Sequence, residues 1–252
     1  MDKFELTTVT LHDKINFDHV RRYLDILSSI TTESFYVIDV AENRFCFASP
    51  NDLFPCGHSV DDALALGDNF YKKMVHPDDL SLWEKIRKAV LLYLNDYEEK
   101  QDEIDYFFCT FRLQRKYSFR IHPLSQMVYH RMKPVWEDDK LRYLICSVGN
   151  TIFKETGNLR MYHKNGKIYE EYDFKGHRWI QKMTNLLTER ESAILMLAKQ
   201  GKSAKEIAND FDREYKTIDN QITNMYNKLG VRSMLEACIL FDNFRMKHAS
   251  NK

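Results

Sequence analysis

Residues 205–231 read KEIANDFDREYKTIDNQITNMYNKLGV, and the spacing of their apolar side chains decides the carboxy-terminal part of the chain. Placed at 100° per residue, Ile218, Ile222, Met225 and Leu229 fall within about 60° of one another, so they form one buried stripe on a helix that starts near Glu214 or Tyr215 and ends at Gly230. The opposite side carries Lys216, Asn220, Thr223 and Asn227, flanked by Asp219 and Asn224. That outer face is polar, short and rich in amides. Asparagine can pair with adenine through both side-chain heteroatoms, and threonine can bond a base or pack on the thymine methyl. Aspartate can accept from the cytosine amino group but repels phosphate. Lys202, Lys205, Lys216 and Lys228 stand at the rims, where phosphate contacts would be made. A plainer reading stands beside this one. Small helices with a polar outer face also suit a protein-binding or dimerisation unit.

Working outward, the flanking segments supply the rest of a four-helix unit. Thr188 and Glu191 have the spacing of a capping box, which starts a helix carrying Ala193, Ile194, Leu197 and Ala198 inward and ending near Gly201. Ser203 and Glu206 repeat the pattern for a short helix from Ala204 to Asp210, in which Ile207 and small Ala208 pack. Gly230 ends the central helix. A fourth begins near Met234 and closes the unit with Leu235, Ala237, Cys238, Ile239 and Leu240.

The blocks Leu187-Thr188-Glu189-Arg190-Glu191, Gly201-Lys202-Ser203-Ala204-Lys205-Glu206-Ile207-Ala208, Thr217-Ile218 and Asn227-Lys228-Leu229-Gly230-Val231, in that order, resemble the LuxR-type helix-turn-helix domain. The resemblance covers roughly residues 184–245. It implies a four-helix DNA-binding domain of a transcription regulator, usually acting as a homodimer on two half-sites of double-stranded DNA. It makes the helix from Tyr215 to Lys228 the recognition helix, so that its polar face, Asp219, Asn220, Thr223, Asn224 and Asn227 with Gln221 beside them, becomes the expected set of base readers. The fourth helix, with Met234 and Cys238, becomes the dimer contact. Where the family commonly has valine, lysine and histidine, this chain has Ile218, Asp219 and Gln221. The lysine that usually meets DNA is thus reversed in charge. Arg213-Glu214 replaces the family's apolar-serine pair before the recognition helix.

The first part of the chain has a different grain. FDHVRRYLDILSSI, residues 17–30, has helical spacing, whereas SFYVIDVAENRFCFASP, residues 34–50, reads as two strands around a turn. Residues 50–68 read as loop or short helices. His76-Pro77-Asp78-Asp79 enters a helix running to about residue 97, with Leu82, Ile86, Ala89, Val90 and Tyr93 inward. Three strand-like runs follow, IDYFFCTFRLQ, SQMVYHRMKPVWE and LRYLICSVGNTIF, with EDDK as a hairpin turn between the last two. This α+β order, with helices inserted after the first two strands, resembles a PAS domain. That resemblance implies either a small-molecule ligand or cofactor between sheet and helices, or a module that only dimerises and relays. The cofactor stays open. The division expected is 1–156 for the PAS-like sensory domain, 157–183 for a β-hairpin around Asn165-Gly166 and a connecting helix in HRWIQKMTNLL, and 184–252 for the helix-turn-helix domain.

Bulk properties fit this organisation. The chain has 252 residues, 44% hydrophobic and 29% charged, with 37 basic and 37 acidic side chains. That balance argues against a strongly basic, non-specific binder. From Leu187 onward 11 basic residues face 9 acidic ones, a weak bias in the direction DNA would favour. No apolar run reaches membrane-spanning length, and MDKFELTTVTLHDK lacks the pattern of a secretion signal, so the expected location is the cytoplasm. Cys46, Cys56, Cys109, Cys146 and Cys238 include no CxxC pair, which favours free, packed thiols and no zinc site. No GxGxxG, P-loop, HExxH or GxSxG pattern occurs, and the chain is not expected to be an enzyme.

Overall fold

The computed structural model describes residues 16–96 apart from 52 and 68, 101–115, 124–183 apart from 152, 165 and 167, 187–229, and 231–245. The MDKFELTTVTLHDK segment, Asn165, Gly230 and the side chains of Ile239 and Leu240 lie outside the described residues. The chain divides into two compact units, residues 1–101 with 111–150, and residues 102–110 with 151–252.

In the first unit, α1 (Phe17–Ile30) forms over the range its spacing predicts. The Asn16 side chain caps it by accepting from the Asp18 amide. Its Phe17–Val20–Leu24 side packs over Val37 of β1 (Ser34–Asp39) and Phe47 of β2 (Arg44–Ala48). These two strands form an antiparallel hairpin whose turn residue Asn43 takes a φ of 46°. Next come α2 (Val60–Leu66), α3 (Asn69–Met74), a 3-10 turn at Pro77–Asp79 and α4 (Leu80–Asp96). β3 (Ile104–Arg115), β4 (Leu124–Glu137) and β5 (Lys140–Asn150) complete the strand order β2-β1-β5-β4-β3. β1 pairs antiparallel with β2 and β5, and β4 with β5. Asp138 and Asp139 turn from β4 into β5 with φ of 50° and 60°, the left-handed pair that matches strand twist. This is the α+β, PAS-like arrangement.

Adjacent residues of β1 are buried on opposite faces, Tyr36 at 1% and Val37 at 0% exposure, so the sheet needs cover on both sides. α1 supplies one side. On the other, Tyr36, Phe45, Phe54, Phe70, Tyr71, Trp83 and Phe111 make a continuous set of ring contacts. Trp83, rather than the half-buried Leu82, is the inward residue at the start of α4. Gly149 faces Tyr129 across β4 and β5, and a Cβ there would lie 2.3 Å from the phenol ring. The His76-Pro77-Asp78-Asp79 stretch is a helix start, as expected: His76 Nδ1 accepts from the Asp78 amide at 3.3 Å. Asp79 does more than complement a dipole. Its buried carboxylate accepts from the Arg112 amide at 2.8 Å and from the guanidinium at 2.7 and 3.0 Å, which ties the helix start to β3.

In the second unit the Ile104–Thr110 half of β3 pairs with β6 (Gly157–His163), which continues to β7 (Ile168–Asp173) and β8 (Arg178–Met183), each neighbour antiparallel. The connecting helix expected in HRWIQKMTNLL is therefore corrected: residues 178–183 are a strand. Trp179, Ile180 and Met183 fit a helical interval, but so short a run does not fix its period. Its partner decides. Tyr172 lies opposite Trp179 and Ile168 opposite Met183 across a tight turn in which His177 has a φ of 51°. The helices α5 (Glu189–Lys199), α6 (Ala204–Asp210), α7 (Tyr215–Leu229) and α8 (Met234–Arg245) form the all-α remainder.

Burial alone would raise the Asp79 pKa, but the guanidinium and amide of Arg112 outweigh it and hold the carboxyl below its ordinary range. A depressed carboxylate contributes stability above its unfolded pKa, and that contribution is lost as pH falls through the folded value. Asp79→Ala is expected to lower the unfolding free energy at pH 7 by about 2 kcal/mol, with the partial exposure of Arg112 discounted. Urea titrations should show the gap between wild type and variant narrowing below about pH 4.

Candidate nucleic-acid interface

The interface is built from caps inward. Thr188 Oγ1 accepts from the Glu191 amide, and Glu191 Oε2 accepts from the Thr188 amide at 2.7 Å, which starts α5. Ser203 and Glu206 do the same for α6. With both helices anchored, Ile194 and Leu195 of α5 and Ile207 and Ala208 of α6 form a floor. Ile218, Ile222 and Met225 of α7 sit on it at 0%, 8% and 0% exposure. Leu229 packs partly buried against the same cluster. Leu195 is an addition to the expected inward set.

The other side of α7 is open. Lys216, Asp219, Asn220, Thr223, Asn224 and Asn227 are all exposed, so the structure brings the expected outer face together as one surface. Gln221 is set apart: it is half-buried, and its Oε1 is buried without a hydrogen-bond partner among the described residues. Thr223 Oγ1 donates to the Asp219 carbonyl at 3.0 Å. Tyr215 Oη donates to Asp219 Oδ1 at 3.5 Å, one turn away.

The rim lysines are not equivalent. Lys228 Nζ donates to both Glu191 carboxylate oxygens, at 2.7 and 2.9 Å, and Lys202 Nζ lies 2.5 Å from Asp210 Oδ2. Lys205 and Lys216 make no ion pair among the described residues. Burial opposes charge on Glu191, but Lys228 and the Thr188 amide prevail and hold its pKa below the usual carboxylate value. Sequence spacing gave no sign of the Glu191–Lys228 pair, because the partners lie on different helices and each has an ordinary local role. On α8, Met234 and Cys238 pack partly buried against the domain's own core, together with Phe241. Leu235, expected inward, is 63% exposed.

The PAS-like domain holds a second notable cluster. Tyr71 donates to Tyr36, whose hydroxyl lies 3.2 Å from His130 Nδ1, while the His130 ring stacks on Phe111 at 4.3 Å. Burial pushes the His130 pKa down to about 3, so the ring is neutral. Nδ1 shares one hydrogen bond with the Tyr36 hydroxyl, and Nε2 is a buried atom with no partner among the described residues. None of the five cysteines is in a disulfide, and burial raises the thiol of Cys46 to about 11 and those of Cys56 and Cys146 to about 12. Among the described residues no group of three or more His, Cys, Asp and Glu could hold a metal ion. No described helix is long and apolar enough to cross a membrane.

Residues 185–241 match the GerE family, described as bacterial regulatory proteins of the luxR family. A 52-residue stretch is 46% identical to the uncharacterized response regulatory protein YgeK of Escherichia coli (strain K12), covering 21% of this chain and 35% of that protein. A 54-residue stretch is 41% identical to the spore germination protein GerE of Bacillus subtilis (strain 168), covering 21% of this chain and 73% of GerE. This chain thus spans about a third of YgeK and nearly three quarters of GerE. Among solved structures, the Vibrio cholerae VqmA dimer aligns over 90% of this chain and 87% of its own, with 12% identity and a TM-score of 0.28.

Two outcomes follow from this geometry. Glu191→Gln removes the carboxylate that caps α5 and holds Lys228, and should lower the stability of the helical domain by about 1–3 kcal/mol, read by hydrogen exchange of the α5 and α7 amides. The thiols of Cys56 and Cys146 should resist iodoacetamide at pH 7.5 in the folded protein and react in denaturant, because only the thiolate attacks.

Proposed function

The chain belongs to the luxR family of bacterial regulatory proteins, and on that footing we propose that it is a sequence-specific DNA-binding transcription regulator, controlled by a signal or partner acting on its PAS-like domain. One observation carries this reading. The whole polar side of α7 is exposed, while the opposite side is committed to the core. A helix seated on this core, with an amide-rich outer face, has the chemistry to read base edges in a major groove.

In this reading Asn220, Thr223, Asn224 and Asn227 contact bases, with Asp219 beside them. Gln221 joins them only if its amide turns outward. Lys205 and Lys216 meet phosphates directly, while Lys202 and Lys228 exchange Asp210 and Glu191 for phosphate. Two copies place two such helices on successive half-sites. Met234 and Cys238 lie at the contact, with the exposed Leu235 next to them. We retain the division into a sensory domain at 1–156, a linking segment at 157–183 and a DNA-binding domain at 184–252. Work on DNA places the protein in the cytoplasm.

The input is read from His130. A buried polar nitrogen without a partner costs free energy, and a small molecule bringing a hydrogen-bond partner to Nε2 would remove that cost. Binding would then shift the population between dimer geometries that do and do not fit the two half-sites.

Selection of random duplexes by the full chain over several rounds should enrich a short, two-fold-related sequence. Enrichment of nothing at low salt, with any small molecule tried, would leave a protein-interaction module in place of a regulator. Affinity for the selected site should fall steeply with salt, and Lys216→Ala should weaken binding to most sequences while reducing the log–log salt slope by about one. Asn220→Ala should instead change sequence preference. Native mass measurement before and after denaturation reads the input, with a retained small molecule lost on unfolding as the expected result.

A further inference from the structure

We infer that Asp219 selects cytosine in the DNA site, with Tyr215 as the residue that positions its carboxylate. The inference rests on the DNA-reading role proposed for α7 and names one element of the sequence that α7 would prefer.

Three observations converge on it. Asp219 is exposed in the first two turns of α7, the end of a recognition helix that meets base edges. Its carboxylate makes no ion pair among the described residues, so no neighbouring cation cancels its charge. Tyr215 Oη donates to Oδ1 at 3.5 Å from one turn back, which restrains the side chain and leaves Oδ2 without a hydrogen bond among the described residues.

A bare carboxylate near phosphates is repelled, so it must meet a donor to be tolerated. The major groove offers few. Guanine presents O6 and N7, and thymine presents O4, all acceptors. The adenine amino group lies between two acceptors, its own N7 and the thymine O4. The cytosine amino group has an acceptor on one side only, the guanine O6 of its own pair, so it is the donor a carboxylate meets with least opposition. The neighbours of Asp219 differ in character. Thr223 donates its hydroxyl proton to the Asp219 carbonyl, while the exposed amide of Asn220 suits adenine. Asp219 is the only carboxylate on the reading face of α7.

The test is duplex selection with the full-length protein, carried out in parallel for wild type, D219A, D219N and Y215F. Wild type should enrich one fixed cytosine per half-site. D219A should enrich the same site with that position degenerate, and D219N should shift it toward adenine. On a defined duplex, replacing the cytosine should weaken wild type about tenfold and D219A less than about twofold. Y215F should keep the preference with smaller discrimination, and an unchanged preference there would remove Tyr215 from the inference. A selected site without that cytosine, or one whose cytosine survives in D219A, overturns the inference and leaves the regulator reading standing. Failure of wild type to enrich any site removes the reading beneath it. Asp219 is exposed, so the thermal midpoints of D219A and D219N should match wild type, which separates a lost contact from a lost fold.

Discussion

Burial of Ile218, Ile222 and Met225 against Ile194, Leu195 and Ile207 decides which side of α7 faces water, and the rest of the helical domain depends on that choice. Rotating the helix by one residue would turn a carboxylate or an amide into the core, where nothing is placed to receive it. The packing therefore fixes the outward direction of six polar side chains, and the Glu191–Lys228 pair ties the same helix to α5. The two capping boxes serve the same end, because each fixes where a supporting helix starts and hence where its apolar side chains project. Ala208 completes the arrangement by leaving room for α7 to approach α6.

The PAS-like domain solves a different problem with a different device. Its sheet is buried on both faces, so successive residues of β1 cannot alternate apolar and polar as in a half-exposed strand. One face is filled by α1 and the other by stacked aromatic rings. Asp79 and His130 are carried into this interior at very different cost. Asp79 arrives fully paired with Arg112. His130 arrives neutral, with one nitrogen met by a tyrosine hydroxyl and the other by nothing among the described residues.

Most of the architecture was legible because its signals are local. The extent of α1, the hairpin at Glu137–Lys140, both capping boxes and the buried stripe of α7 each depend on residues within a few positions of one another. What stayed hidden depends on partners far along the chain. Nothing near Arg178–Met183 distinguishes a strand from a helix until β7 lies beside it. Nothing near Lys228 points to Glu191, or near Asp79 to Arg112. The outer face of α7 was visible as a pattern, but the states of its members were not. Gln221 is turned inward, Thr223 is bonded to its own helix, and Asp219 is restrained by Tyr215.

Those internal engagements bear on how a chain of balanced charge would meet a polyanion. Two of the four rim lysines already have carboxylate partners, so phosphate must compete with Asp210 and Glu191 for them. An exchange of one anion for another yields less than the capture of a free lysine, and the gain through released counterions shrinks accordingly. Asp219 lowers non-specific attraction further. A domain built this way gives up affinity that any sequence would enjoy and keeps the part that depends on which base edges are present. In the proposed reading, weak general attraction and an acceptor among amides work together. Each widens the gap between a matching site and all others, and a second subunit supplies the affinity that one domain forgoes.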